Sequence, residues 1–122
     1  MSEIRATTIS DETGNGPIAL TKQSAAKAWL HFNYDNLPAL KDSFNVSSLT
    51  DAGVGLCTMN YTNNFNDANY SFIGMTNGYH ARETARAVGS SQLNSWYVSG
   101  TGGQRTNVDT TFNSSASFGD LA

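Results

Sequence analysis

The chain has 122 residues, room for one domain around one modest core. Its seven Lys and Arg against ten Asp and Glu leave a net charge of −3. The basic residues are scattered, with only Arg82 and Arg86 close together, so the clustered cations that neutralise phosphates are missing and nucleic acid is not expected as a partner. No apolar run approaches the ~20 residues of a membrane span, and the start Met1–Thr8 lacks the basic-then-apolar pattern of a secretory signal. The expectation is a protein made in the cytosol that works there or leaves by assembly or lysis, with no membrane partner.

Hydrophobic residues make up 39% and charged residues 14%, both below the usual shares. Ser, Thr, Asn and Gly fill the gap with about two-fifths of the chain. Disorder pairs low hydrophobicity with high charge and few aromatics, whereas aromatics here reach 11%. Thr, Tyr, Phe and Trp favour pleated strands and Asn, Gly and Ser supply turns. The composition points to an all-β protein.

In chain order, Ile4–Ile9 leans to strand and precedes the turn cluster Ser10–Gly16. Such a segment, with few neighbours in sequence to cover it, suits an arm that pairs with another subunit or a docking site. Pro17–Leu20 reads as a short edge strand, and Thr21–Ala26 as one helical turn with Thr21 as N-cap. Trp29–Asn33 is a strand with Trp29 and His31 on one face and Leu30 and Phe32 on the other, hence central. Leu37-Pro38 marks a connection and Leu40–Val46 a strand ending at Ser47-Ser48. Asp51–Gly55 is a hairpin loop. Leu56–Thr62 alternates Cys57, Met59 and Tyr61 against Thr58, Asn60 and Thr62, the clearest half-buried strand. Asn63–Asn69 is a polar loop carrying Phe65. Strands follow at Tyr70–Met75, Arg82–Val88, Gln92–Ser99, Thr106–Phe112 and Ser115–Leu121, with loops at Asn77-Gly78 and Gly100–Gly103. Short strands at this spacing predict a compact antiparallel β-sandwich.

Few residues suggest chemistry. Cys57 is the one cysteine, which excludes an intrachain disulfide; its strand setting predicts a small buried hydrophobe, and neither His31 nor His80 is spaced to serve it as a base. Paired carboxylates for glycoside hydrolysis would have to come from Asp35, Asp42, Asp51, Asp67 or Asp109, whose spacing marks no pair. The cluster Asn63, Asn64, Asn66, Asp67 and Asn69 could offer oxygens to Ca²⁺, but it lacks an EF-hand's glycine and closing glutamate and reads as a solvated loop. His80 and Glu83 would be two metal ligands without a third. No catalytic residue, metal or cofactor is expected, and the chain is not expected to be an enzyme. Four Asn-x-Ser/Thr triplets, at Asn45, Asn60, Asn69 and Asn113, are what so Asn- and Ser-rich a chain gives by chance.

Aromatics near loops are the better candidates for binding. Trp96-Tyr97, beside the Gly100–Gly103 loop, and Tyr79-His80, after Asn77-Gly78, could stack on sugar rings while adjacent amides and hydroxyls bond their hydroxyl groups; burial in the core is the alternative. Trp29 and Phe32 read most simply as core residues, and with Phe44 as candidates for a shared core and subunit contacts.

One signature stands out: Gly16-Pro17, then Leu20–Trp29 (Leu-Thr-Lys-Gln-Ser-Ala-Ala-Lys-Ala-Trp), then Asp42–Ser48 (Asp-Ser-Phe-Asn-Val-Ser-Ser), with Asp67–Tyr70 and the closing Phe118-Gly-Asp-Leu121. This pattern resembles small virion structural proteins of tailed bacteriophages of aquatic and marine type, their tail-fibre-tip or decoration domains. The chain departs from the family after Phe32, where Tyr34–Pro38 replaces a Gly-Thr-Gly-like turn, and Gly78–Thr106 has no counterpart. The resemblance implies a non-enzymatic virion component, made in the host bacterial cytoplasm and homotrimeric. Residues 1 to 27 would be an arm docking to other virion proteins or neighbouring subunits, and 28 to 122 a jelly-roll-like knob. Two roles stay open: a fibre or tail tip attaching to a host-surface glycan or protein, and a capsid decoration protein.

Overall fold

The computed structural model describes residues 25–100 and 102–122. The expected strands Ile4–Ile9 and Pro17–Leu20 and nearly all of the Thr21–Ala26 turn lie outside the described residues, as does the docking role given to the arm. Among the described residues nine strands form: β1 (Ala28–Asp35), β2 (Leu37–Phe44), β3 (Val46–Gly53), β4 (Leu56–Tyr61), β5 (Ser71–Thr76), β6 (His80–Ala87), β7 (Ser90–Ser99), β8 (Gln104–Asn107) and β9 (Asn113–Phe118). All pairings are antiparallel. One sheet has the order β2-β1-β9-β5; the other has β3-β4-β7-β6, with β8 added to β7. The protein is all-β, two antiparallel sheets packed on each other, and among the described residues no helix forms.

Among the described strands the chain changes sheet four times, after β2, β4, β5 and β8. The first change turns on Asn45, whose φ of 57° is left-handed, a conformation Asn tolerates better than most residues. Its side chain fastens the corner: Nδ2 donates to Lys27 O and Asn63 O, each at 3.0 Å, and Oδ1 accepts from Asn63 N at 2.7 Å. This corrects the expected strand Leu40–Val46 with a turn at Ser47-Ser48. The break falls at Asn45, and both serines belong to β3. Likewise Leu37-Pro38 is no connection: the turn is the single residue Asn36 (φ 66°), and Pro38 stands in β2 opposite Tyr34. β2 is an edge strand, where a missing N–H costs no ladder bond. The expected strand Thr106–Phe112 is shorter, as β8 ends at Asn107 and Val108–Phe112 carries the chain back to the first sheet.

β1 is central, between β2 and β9. It buries Ala28, Leu30, Phe32 and Tyr34 and turns Trp29, His31, Asn33 and Asp35 the other way, as the period of two requires. β4 buries Cys57, Met59 and Tyr61 as its alternation predicts. The core joins these to Val46, Phe65, Tyr70 and Leu93. β9 faces this apolar layer with Asn113, Ser115 and Ser117, all buried. Partners satisfy them: Tyr61 OH lies 2.7 Å from Ser91 Oγ and 2.9 Å from Ser117 Oγ, Ser115 Oγ is 3.1 Å from Met59 Sδ, and Asn113 Nδ2 donates to Thr110 O at 2.8 Å. Small side chains let the sheets approach closely. A Cβ on Gly74 of β5 would lie 2.4 Å from Leu93 Cδ1 of β7.

Candidate functional site

The connection from β5 to β6, which crosses between the sheets, turns at Asn77–Tyr79. Gly78 is at φ 72°, and Thr76 Oγ1 donates to Tyr79 O at 3.1 Å. The turn sets His80 at the start of β6, opposite Trp96 of β7. β7 outruns β4, which pairs with it only as far as Asn94; beyond that β8 takes the vacated side, pairing Trp96 with Asn107 and Val98 with Arg105. Trp96 therefore has β6 on one flank and β8 on the other.

Both flanks press on the indole. The His80 ring stacks on it at 4.4 Å and 19°, and the Arg105 guanidinium lies 4.5 Å from its ring centre, a cation–π geometry. Tyr79 and Tyr97 make a second pair at this end of the molecule, ring centres 5.9 Å apart and tilted 50°, both exposed, with Tyr97 on the opposite side of β7 from Trp96. Thus Tyr79, His80, Trp96 and Tyr97, read from two separate stretches of sequence, meet at one end of the molecule. Their expected roles change in one respect. Trp96 has neighbours on both ring faces, so a sugar cannot stack on it as expected; the rings open to a ligand are Tyr79 and Tyr97.

The charge here is positive. Arg82, paired with Asn94, shares the outer face of the sheet with His80 and Trp96. β7 and β8 contain no carboxylate, and Glu83 of β6 is taken by Arg86, whose Nε lies 2.9 Å from Oε1. Much of that outer face is amide and hydroxyl, with Leu56, Ala85 and Val98 among them: Asn60 Nδ2 donates to Ser48 Oγ and Thr50 Oγ1, Gln92 Nε2 to Thr58 Oγ1, and Thr84 Oγ1 to Gln92 Oε1. Arg82 and Arg105 did not emerge from the sequence as site residues.

Of the assembly candidates, Phe32 is core, 1% exposed. Trp29 and Phe44 are not: they pair across β1 and β2 and are exposed on the outer face of the other sheet. The reason is parity, since Trp29 alternates with buried Ala28 and Leu30, and its partner Phe44 shares its side of the sheet.

Among the remaining candidate carboxylates Asp51 and Asp109 come near one another, at the β3–β4 turn beside Tyr34. His80 and Glu83 stand on opposite sides of β6, so they do not form a pair of ligands. Among the described residues no three His, Cys, Asp or Glu side chains gather as a metal set would. The carboxylates serve turns: Asp51 accepts from Tyr34 OH at 2.6 Å and Gly53 N at 2.8 Å, Asp109 from Gly55 N at 2.7 Å, and Asp67 from Asn69 N at 2.7 Å. The bond from Tyr34 holds the Asp51 carboxyl below its ordinary range. Within the Asn-rich loop, Asn66, Asp67 and Asn69 line a recess of about 190 Å³ with Tyr70, Gly119 and Asp120, while Asn63 is engaged with Asn45.

Cys57 is buried, and burial foremost, with the Asp51 charge, pushes its thiol up to about 12. A neutral, covered thiol is inert. A disulfide-exchange reagent at pH 8 is therefore expected to leave the folded protein unlabelled and to titrate one thiol after denaturation. Rapid labelling of the native state would contradict this placement.

No family model, curated protein or solved structure matches this chain.

Proposed function

We propose that the chain is a non-enzymatic virion structural protein, a trimeric fibre or tail-tip module that attaches to a glycan on the host surface. The observation that carries the attachment role is the convergence of Tyr79, His80, Trp96 and Tyr97 with Arg82 and Arg105 at one end of the molecule. Exposed tyrosine rings offer flat amphipathic surfaces for sugar rings. Trp96, wedged between His80 and Arg105, holds the platform rigid, so little freedom is lost on binding. Arg82 and Arg105, on the Trp96 side of strands whose one carboxylate, Glu83, is paired with Arg86, favour a glycan long enough to reach past the tyrosines and bearing carboxylate or phosphate groups. The jelly-roll-like description draws support from β1 and β9, first and last of the described strands, lying side by side. The virion setting rests on the sequence signature.

The test is an array of neutral and acidic bacterial surface polysaccharides probed with the purified full chain. Binding to acidic members is expected, falling at least tenfold in a Tyr79→Ala/Tyr97→Ala variant with an unchanged circular dichroism spectrum. No binding to any member, or equal binding by the variant, removes the attachment role. Immunogold labelling of virions then locates the protein: labelling at the tail supports the tip, and labelling spread over the head replaces it with capsid decoration.

A further inference from the structure

The two outer faces of the sandwich differ in chemistry, and the difference falls between sheets. Outside β3-β4-β7-β6 hydroxyls and amides predominate, with Leu56, Ala85 and Val98 scattered among them, leading to the aromatic–cationic end. Outside β2-β1-β9-β5 a single cross-strand row runs Phe44, Trp29, Ala116, Ile73, one residue per strand. The next row runs Asp42, His31, Ser114, Met75, and Phe112 closes the face beyond it, its ring 5.9 Å from that of His31. Trp29, Phe44, Ile73, Met75 and Phe112 are between 39% and 68% exposed.

For large side chains of about 150–250 Å² that exposure leaves on the order of 500 Å² of apolar surface on one flat face. It stands at the upper end of the roughly 300–600 Å² that a monomer's largest patch covers. With the smaller residues between, it approaches the roughly 800 Å² that each partner gives to a stable interface.

We propose that this face packs against further copies of the same chain. Its own relief argues for a copy as the occupant. The Phe44–Trp29 half presents two exposed aromatic rings side by side. The other half holds a depression of about 390 Å³ lined by His31, Met75, Thr76, Asn77, Phe112 and Ser114. Three copies that turn this face to a common axis set the aromatic half of each against the depression of the next, so that one surface supplies both sides of a closed, heterologous contact. The centre is apolar and the margin polar, with Lys41 and Asp42 exposed on β2, the layout of a protein interface. Joining through the β2 edge is disfavoured, because β2 carries Pro38 and an irregularity between the partners of His31 and Phe32, devices that blunt an edge. The opposite, polar face and its aromatic end stay outward.

This inference rests on the self-assembly in the reading above and is separable from attachment. The full chain is expected to scatter light as an oligomer of about 39 kDa, three times 13.1 kDa, at tens of micromolar. A Phe44→Asp/Ile73→Asp variant is expected at 13.1 kDa with an unchanged circular dichroism spectrum, and Met75→Lys gives a second, single-site disruption should the double variant not fold. In a Trp96→Phe background Trp29 is the one remaining tryptophan. Its emission is expected to be blue-shifted in the oligomer and to move to the red when either disrupting change is added. A wild-type chain of monomer mass, or an oligomer that survives both disrupting variants, overturns the interface. A monomer that still binds polysaccharide through Tyr97 would leave attachment standing, and an oligomer that binds none would leave this interface standing.

Discussion

Gly55→Ala is expected to cost about 3 kcal/mol or more of folding stability, lowering the melting temperature by about 10 °C or more. Gly55 stands in the β3–β4 turn at φ +67°, a conformation that costs an L-residue about 1–2 kcal/mol. Space is the larger obstacle. A Cβ would lie 2.4 Å from Ser95 O and 2.8 Å from Val108 N, both backbone atoms that cannot rotate aside. Nor can the turn withdraw. Gly55 N donates to Asp109 Oδ1 at 2.7 Å, and Gly55 O accepts from Ser95 N at 2.8 Å and Asn94 Nδ2 at 3.1 Å. These bonds dock the turn on the stretch of β7 that leads into Trp96, so the aromatic end loosens with it. Gly78→Ala is the control. Gly78 also has positive φ, 72°, close to that of Gly55, but its Cβ would meet nothing within 4 Å, which leaves only the conformational cost of about 1–2 kcal/mol. Equal losses in the two variants, measured by urea unfolding, would show that crowding at Gly55 plays no part.

The strands were largely legible in the sequence because burial on one side imposes a period of two. β4 announces itself by Cys57, Met59 and Tyr61, and β6 carries β-branched Thr84 amid β surroundings. Corners were not legible. Asn36 and Asn45 end strands by adopting positive φ, and nothing in an Asn-rich chain separates these two from its other asparagines. The inward serines of β9 were hidden too, since Ser115 and Ser117 look like surface residues until Met59 and Tyr61 of the facing sheet supply their partners.

The aromatic end was half legible. Tyr79, His80, Trp96 and Tyr97 stood out by residue type and by nearby turn residues, but their meeting depends on β6–β7 register. Arg105 had a signal that went unused. A hairpin centred on Gly100–Gly103 pairs Ser99 with Gln104, and by symmetry Val98 with Arg105 and Trp96 with Asn107. That register alone puts Arg105 diagonal to Trp96, within reach of its ring. Trp29 and Phe44 show the opposite limit. Large aromatics read as core, yet strand parity turns both outward, and only the pairing across β1 and β2 shows them as one patch.

Phe65→Ala is expected to cost about 3–5 kcal/mol, a large part of the roughly 5–15 kcal/mol that holds a domain folded. The residue lies in a segment, Thr62–Asn69, that is otherwise exposed and, but for Ala68, polar, yet its ring is 1% exposed. It stacks on Tyr70 at 4.1 Å and meets the edge of Tyr61 at 5.0 Å. Its backbone is held as firmly. Phe65 N donates to Val88 O at 2.8 Å, and Phe65 bridges to Leu121 near the chain's end. Truncation opens a cavity under a loop whose neighbours cannot follow. Tyr70 OH is fixed by Ser90 O at 2.8 Å and Tyr61 OH by Ser91 and Ser117, so collapse would strip buried hydroxyls of their partners. Phe65→Leu keeps much of the volume and is expected to lose about 1–2 kcal/mol, while exposed Val54→Ala should stay within about 0.5 kcal/mol. A Phe65→Ala loss no greater than that of Val54→Ala would mean that the loop merely covers the core. A loss several times larger, with faster amide exchange in both β4 and β9, makes Phe65 the wedge on which the two sheets close.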